Sequence, residues 1–177
     1  MSSSTLKKEA LSLIIDVPDF PKKGIVFKDI TPLLADAGGF AAVIDGLSEP
    51  FMGKGIEIVA GIESRGFLLA TAMAYRLKAG VVPIRKKGKL PRKTFSTTYD
   101  LEYGQDTLEA HQDAFPSGSK VLLVDDVLAT GGTAQAACRL LKELGGQSCG
   151  LAFLIELGFL NGRAKVPGYE VHSLITY

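Results

Sequence analysis

Apolar runs and helically spaced apolar positions alternate along most of this chain. Val121-Leu122-Leu123-Val124 is uninterrupted, the pattern of a strand buried on both faces, and Asp125, Asp126 and a Thr/Gly-rich turn stand directly behind it. The turn, residues 127–133, opens into residues 134–144, good helix formers with apolar residues at helical spacing, which Gly145 and Gly146 stop. Strand, turn and helix make half of a βαβ unit. Upstream, residues 38–53 carry Phe40, Ala41, Val43, Ile44, Leu47 and Phe51 at helical period, and residues 56–60 read as the first core strand. A loop over residues 61–67 leads into a helix ending near Lys78, and residues 81–84 form a second buried strand. Residues 108–111 read as a return strand, 148–157 as the last long core strand and 169–177 as a short C-terminal one. This succession predicts an α/β fold with a mostly parallel central sheet flanked by helices.

Three stretches fit this rhythm less well. Residues 5–15 place Leu6, Ala10, Leu11, Leu13, Ile14 and Ile15 among Lys7, Lys8 and Glu9, an amphipathic helix that Ser4 or Thr5 can cap. Residues 17–34 hold Pro18, Pro21 and Pro32 among apolar residues without helical period, which predicts an ordered irregular segment. Residues 94–106, TFSTTYDLEYGQD, are polar and rich in Thr and Tyr, and read as loop up to Tyr99.

Composition narrows the function class. At 177 residues, 46% apolar and 22% charged, the chain is expected to be one soluble domain with a full core. A net charge of +1 argues against general affinity for nucleic acid. The two cysteines, Cys138 and Cys149, have no metal-ligand spacing and no secreted framework, and read as core residues in a reducing compartment. No stretch reads as a membrane span and residues 1–5 carry no signal-peptide pattern, so a cytoplasmic protein is expected.

The chemistry concentrates behind the apolar runs. Gly131 and Gly132 let successive N–H groups point inward at the positive end of a helix dipole, and Thr130 and Thr133 add hydroxyls, which suits a phosphate. Asp125 and Asp126 at the strand end can accept hydrogen bonds from sugar hydroxyls. Phosphate at one end and diol at the other describe a ribose 5-phosphate. A P-loop is excluded because no Gly-Lys-Ser/Thr follows, and a dinucleotide fingerprint because its glycine spacing is missing. Ser64 lacks the glycine of a nucleophile elbow, and neither His111 nor His172 lies near a motif nucleophile. Residues 85–93 hold six basic residues among nine, a local field for a highly charged anion.

Residues 125–133, Asp-Asp-Val-Leu-Ala-Thr-Gly-Gly-Thr, resemble the 5-phosphoribosyl-1-pyrophosphate (PRPP) signature of the type I phosphoribosyltransferase family. Four further stretches resemble family motifs in the family's order. Residues 18–30 are similar to the base-covering hood of adenine phosphoribosyltransferases, and residues 61–67 to the G-x-E/D-S/A-R-G-F loop. Residues 85–91 are similar to the R-K-x-G-K-L-P segment, and residues 99–104 to the Y-x-L-E-Y-G core of a mobile catalytic loop. The resemblance implies the type I phosphoribosyltransferase fold over residues 1–177, with a small N-terminal hood at about 17–34 and a lid at about 94–106. It implies transfer of phosphoribose from PRPP to adenine, giving AMP and pyrophosphate in purine salvage, with Mg²⁺ held mainly by substrate oxygens, in a homodimer.

The resemblance also assigns residues. Val26 would read the base edge through its backbone and Phe27 stack on it, with Leu160 against the other face. Arg65 would contact base and anion, and Arg85, Lys86 and Lys89 pyrophosphate. Asp125 and Asp126 would take the ribose diol, and Ala129, Thr130, Gly131, Gly132 and Thr133 the 5-phosphate. Glu102 would take the purine proton or stabilise the sugar cation, and Tyr103 would hydrogen-bond pyrophosphate or ring. A lid has a physical reason, because water would capture the oxocarbenium-like sugar. Ala129 stands where 6-oxopurine enzymes of this fold carry an Asp, and that favours adenine. Gly158-Phe159 matches no family pattern. Two alternatives stay open: a 6-oxopurine or xanthine transferase of the same fold, and a PRPP-sensing regulator that binds nucleic acid through residues 85–93.

Overall fold

The structure is a computed structural model that describes residues 11–100 and 104–177. It falls into two units, with the boundary between Gly46 and Leu47. Of the helix expected over residues 5–15, residues 5–10 lie outside the described residues, and Ile15 opens a strand instead.

The first unit replaces the irregular segment expected at 17–34 with a hairpin and a short helix. Strands β1 (Ile15–Pro18) and β2 (Val26–Asp29) pair antiparallel, from Ile15 opposite Asp29 to Pro18 opposite Val26. Pro18 misled the sequence reading, yet it stands at a strand end, where its missing N–H costs little. Asp19 at φ 58° and Gly24 at φ 89° shape the connection, and the Gly24 N–H donates to Asp19 Oδ1 at 2.7 Å. Lys28 crosses the ladder to Asp16 at 2.7 Å. Asp29 then accepts both the N–H and the hydroxyl of Thr31, which opens helix α1 (Thr31–Ala35). Asp36 caps helix α2 (Ala37–Ser48) by accepting the Gly39 N–H at 2.7 Å.

The second unit is built on one seven-stranded sheet. Its strands are β3 (Ile58–Ile62), β4 (Gly80–Lys86), β5 (Thr94–Asp100), β6 (Gln105–His111), β7 (Lys120–Leu128), β8 (Gln147–Glu156) and β9 (Val171–Thr176). They stand in the order β5-β6-β4-β3-β7-β8-β9. The strands from β4 through β3, β7 and β8 to β9 are mutually parallel, and β6 and β5 add an antiparallel arm beside β4. That arm corrects the loop expected before Tyr99: the Thr- and aromatic-rich run pairs with β6 from Thr94 opposite His111 to Asp100 opposite Gln105. Strand β7 also outruns its apolar core, because β8 continues beside it and pairs Val127 with Ile155 and Leu128 with Glu156. Both aspartates therefore sit within a strand.

Helix α3 (Arg65–Leu77) follows β3, and helix α4 (Gly132–Glu143) follows β7. Successive strand residues face opposite sides, and β3 shows which helix takes which side. A Cβ on Gly61 would meet Ala70 of α3 at 2.7 Å, whereas Ala60 and Ile62 share a buried cluster with Ala137 and Leu140 of α4. The two helices thus cover opposite faces, and both begin at the carboxyl ends of strands, where α/β sheets place ligands. Gly61→Ala is expected to push α3 away from the sheet. An unfolding free energy lower by about 1–3 kcal/mol is anticipated, read as a lower urea midpoint with an unchanged slope.

Candidate active site

Beyond Leu128 the chain turns through Ala129 and Thr130 to Gly131, which stands at φ 81° before the first residue of α4. That left-handed conformation is open to glycine and strained for other residues. Space imposes the same choice. A Cβ on Gly131 would strike the Gly162 carbonyl oxygen, and a Cβ on Gly162 would strike the carbonyl oxygen of Ala129. The turn therefore rests backbone to backbone on residues 158–165. Its support is fixed in turn by Arg163, whose Nε and Nη2 each donate at 2.7 Å to a different oxygen of buried Glu156, while Nη1 reaches the Val171 carbonyl at 2.9 Å. This guanidinium holds the Glu156 carboxyl below its ordinary range. Gln135 adds a bond from Nε2 to the Lys165 carbonyl at 3.0 Å. The first N–H groups of α4 have no partner within the helix and face a small pocket of about 70 Å³ lined by Asp125, Ala129, Thr130, Gly131 and Thr133.

Asp125 and Asp126 form the floor beside this turn. Asp126 is 6% exposed, and its Oδ2 lies 2.6 Å from Nε of Arg65, the first residue of α3. Asp125 Oδ1 accepts the Asp126 N–H at 2.9 Å. The helix comes this close because residue 66 is glycine: a Cβ there would lie 2.8 Å from Asp125 Oδ1 and 3.0 Å from the Val124 carbonyl oxygen. Burial pushes the Asp125 carboxyl well above its ordinary value, and the neighbouring Asp126 charge pushes the same way.

A wider cleft of about 460 Å³ opens from these carboxylates toward the end of β4. Glu63, Arg65, Lys86, Tyr99, Asp106 and Thr133 line it together with the two aspartates. Its cations are already held by acids. Glu63 accepts the Lys86 N–H at 2.9 Å and pairs with Arg85 Nε at 3.3 Å. Burial raises the Glu63 carboxyl, but that N–H and that guanidinium outweigh it and leave the group below its ordinary value. Lys86 Nζ lies 3.1 Å from Asp106 Oδ2, and this carboxylate raises the ammonium's pKa. Tyr99 donates its hydroxyl to Asp106 and accepts one from Thr133, each at 3.4 Å. The arrangement offers a phosphate cradle, adjacent acids for a diol, and cations for a second anion. The peptide bond between Glu63 and Ser64 is cis.

The family model described as phosphoribosyl transferase domain matches residues 27–171. An adenine phosphoribosyltransferase from Acidobacterium capsulatum is 57% identical over 94% of this chain and 92% of its own length, and one from Geobacter metallireducens is 56% identical over 96% and 99%. The chain belongs to the adenine phosphoribosyltransferase family. Among solved structures, the adenine phosphoribosyltransferase of Thermoanaerobacter pseudethanolicus superposes with a TM-score of 0.94 at 50% identity, covering 97% of this chain and 99% of that one. The Saccharomyces cerevisiae enzyme, solved with adenine and an imino-altritol bisphosphate, gives 0.91 at 40% identity, covering 97% and 99%.

The residues expected to bind ligands are distributed unevenly in this adenine phosphoribosyltransferase fold. Arg65, Lys86, Asp125, Asp126 and Thr133 line the wide cleft, and Ala129, Thr130 and Gly131 line the small pocket beside it. Gly132 opens α4. Arg85 points its guanidinium at Glu63 and at the Lys89 carbonyl, 3.1 Å away, and Lys89 is exposed. Leu160 stands 38% exposed in the one-turn helix Gly158–Leu160. In the first unit, Val26 is exposed and Phe27 packs edge-on to Phe20, centroids 5.2 Å apart. Glu102 and Tyr103 lie outside the described residues. Sequence reasoning passed over Glu63, Tyr99 and Asp106. Glu63 lies within the R-G-F loop motif, Tyr99 opens the lid motif and Asp106 stands two residues beyond it, so a place in or beside a motif was the available signal.

Asp125→Asn keeps an oxygen for the Asp126 N–H and removes a carboxyl whose charged form the folded state disfavours. Because the folded-state value is raised, the wild-type penalty is present above it and fades as pH falls toward the ordinary 3.8. The variant without ligand should melt about 2–4 °C higher at neutral pH, as ~1 kcal/mol would give, and the gain should shrink on acidification in thermal melts.

Proposed function

We propose that this chain transfers the 5-phosphoribosyl group of PRPP to adenine, releasing AMP and pyrophosphate, as a cytoplasmic Mg²⁺-dependent homodimer acting in purine salvage. The observation that carries the reading is the cleft itself, in which a helix-start phosphate turn, two adjacent aspartates and a cation-lined end follow one another along the carboxyl edge of the sheet. Relatives with the same name, more than half identical over most of the chain, support it.

In this reading the 5-phosphate sits on Ala129–Thr133, Asp125 and Asp126 accept bonds from the ribose hydroxyls, and Arg65, Lys86, Arg85 and Lys89 receive pyrophosphate. Glu63 releases Arg85 as the anion arrives, while the three donors of the Lys86 ammonium let it meet the anion and stay on Asp106. The donor set fits Mg²⁺ carried in by its substrate. Two neighbouring carboxylates stand at the floor, and the described residues hold no cluster of three or more acidic, His or Cys side chains for a protein-built cage. When bound, Mg²⁺ neutralises the charge that develops on the leaving pyrophosphate. The purine nitrogen then bonds to the anomeric carbon as the carbon–oxygen bond to pyrophosphate breaks. Glu102 takes the purine proton and Tyr103 hydrogen-bonds the leaving group, both from the lid.

For the base, Val26, Phe27 and Leu160 are the residues assigned to adenine, and Ala129 leaves no acid to pair with a 6-oxopurine. A 6-oxo base reverses the donor and acceptor pattern and leaves buried groups unpaired, at about 1–3 kcal/mol each. An apolar face on α3 supports the homodimer: Leu68 is 52% and Tyr75 90% exposed, two helical turns apart. Two free cysteines, Cys138 and Cys149, support a reducing cytoplasm.

Purified protein supplied with PRPP and Mg²⁺ should form nucleotide from adenine and not from hypoxanthine, guanine or xanthine, as followed by chromatography. EDTA should abolish turnover. Asp126→Ala should lower kcat/KM by about 100-fold or more, and Glu102→Gln should lower kcat by ~100-fold with little change in the KM for PRPP. Turnover of a 6-oxo base would overturn the account of Ala129. No turnover with any base would overturn the proposal.

A further inference from the structure

Tyr99 is a tyrosine where packing alone asks for an aromatic ring. It is 7% exposed, and its ring belongs to the cluster that holds Ile84, Leu108 and Ala134. A buried phenol needs partners for its hydroxyl, and both partners here are groups of the cleft. Thr133, in the first turn of α4, donates to it, and it donates to Asp106, whose carboxylate also holds Lys86. Register fixes the second contact. Tyr99 and Asp106 stand directly opposite each other in the β5–β6 ladder, so a slip of one residue would turn the phenol to the other side of the arm. Burial raises the phenol above its usual range, and the bond from Thr133 only partly offsets this, so at neutral pH it remains a donor.

We propose that Tyr99 is a positioning residue of the transfer site: from the root of the lid arm, its hydroxyl sets Thr133 at the phosphate turn and, through Asp106, sets Lys86 at the pyrophosphate end. The inference rests on the proposed phosphoribosyl transfer. One side chain thereby couples the two anion subsites to each other and to the strand that leads into the lid. Both contacts are long for hydroxyl hydrogen bonds, so each is modest in the open site and has room to shorten. The Thr107 N–H holds Asp106 Oδ1 at 2.8 Å, and the phenol adds a second hold on Oδ2, the oxygen that faces Lys86.

Tyr99→Phe keeps the ring and removes the hydroxyl. Calorimetry with ribose 5-phosphate and with inorganic pyrophosphate should show both binding about fivefold more weakly than to the wild type. In turnover, the KM for PRPP should rise by a similar factor while the KM for adenine stays within about twofold, and the melting temperature should hold. A double-mutant cycle provides the discriminating readout. Thr133→Val should weaken ribose 5-phosphate less in the Tyr99→Phe background than alone, and Asp106→Asn should change pyrophosphate binding less in that background than alone. Unchanged binding of both anions to Tyr99→Phe, or fully additive cycles, overturns the inference. A lower melting temperature with equal losses for PRPP and adenine assigns Tyr99 a packing role and overturns it too. Wild-type protein that binds neither anion fails the functional reading itself, whereas wild type that binds both while Tyr99→Phe matches it fails only the inference.

Discussion

Two carboxylates side by side at the end of a buried strand repel each other and lose solvation together, and much of the local structure answers that cost. Arg65 meets Asp126 at 2.6 Å, and the Asp126 N–H meets Asp125 at 2.9 Å. The first contact would not exist if α3 stood further away, and it stands close because residues 61 and 66 lack side chains. Removing one partner from such a group is more damaging than never having built it, since an unpaired buried charge remains. The β3–α3 connection and the end of β7 are therefore one electrostatic unit, although more than fifty residues separate them in sequence. A diol bound there, as proposed, would add donors to the pair.

The opposite end of the cleft follows a different rule, and exposure decides it. The acids that hold Lys86 and Arg85 are 21% and 16% exposed, against 8% for Asp126, and Lys86 itself is 56% exposed. Ion pairs in contact with water are worth roughly 0–1 kcal/mol, so Glu63 and Asp106 hold their cations loosely. A pyrophosphate with several charges would draw such cations toward itself at little cost, whereas Asp126, the most buried of the three acids, would give up its cation at a higher one. The cleft thus joins a fixed half, which suits the sugar, to a yielding half, which suits a group that must leave.

Where chemistry depends on short-range pattern, the sequence was readable. The apolar run of β7, the turn at Gly131 and the helix after it appear close to where the pattern put them, although the strand runs on through both aspartates to Leu128, because a buried parallel strand and a helix start each leave a local signature. The hairpin at Ile15–Pro18 and Val26–Asp29 was hidden, since proline at a strand end looks the same in sequence as proline in a coil. The arm from Thr94 was hidden for a related reason: a Thr-rich run becomes a strand only when a partner such as β6 stands beside it. Among site residues, Tyr99 and Asp106 lie in or beside the lid motif, but their significance lies in cross-strand register, which a motif does not state. Gly162 was invisible because its contact with residue 129 is made across 33 positions of sequence.

That last contact has mechanical consequences. With backbone against backbone at Ala129, Gly131 and Gly162, no side chain is available to absorb a shift by changing rotamer. The phosphate turn and residues 158–165 must therefore move together or not at all, because packed interiors transmit strain instead of dissipating it. The bidentate Arg163–Glu156 pair joins that loop to the last buried residue of β8. Leu160, proposed for the base, rides on the same loop. The phosphate turn and Leu160 are consequently referred to one rigid support, and Tyr99 ties the β5–β6 arm to the same turn through Thr133.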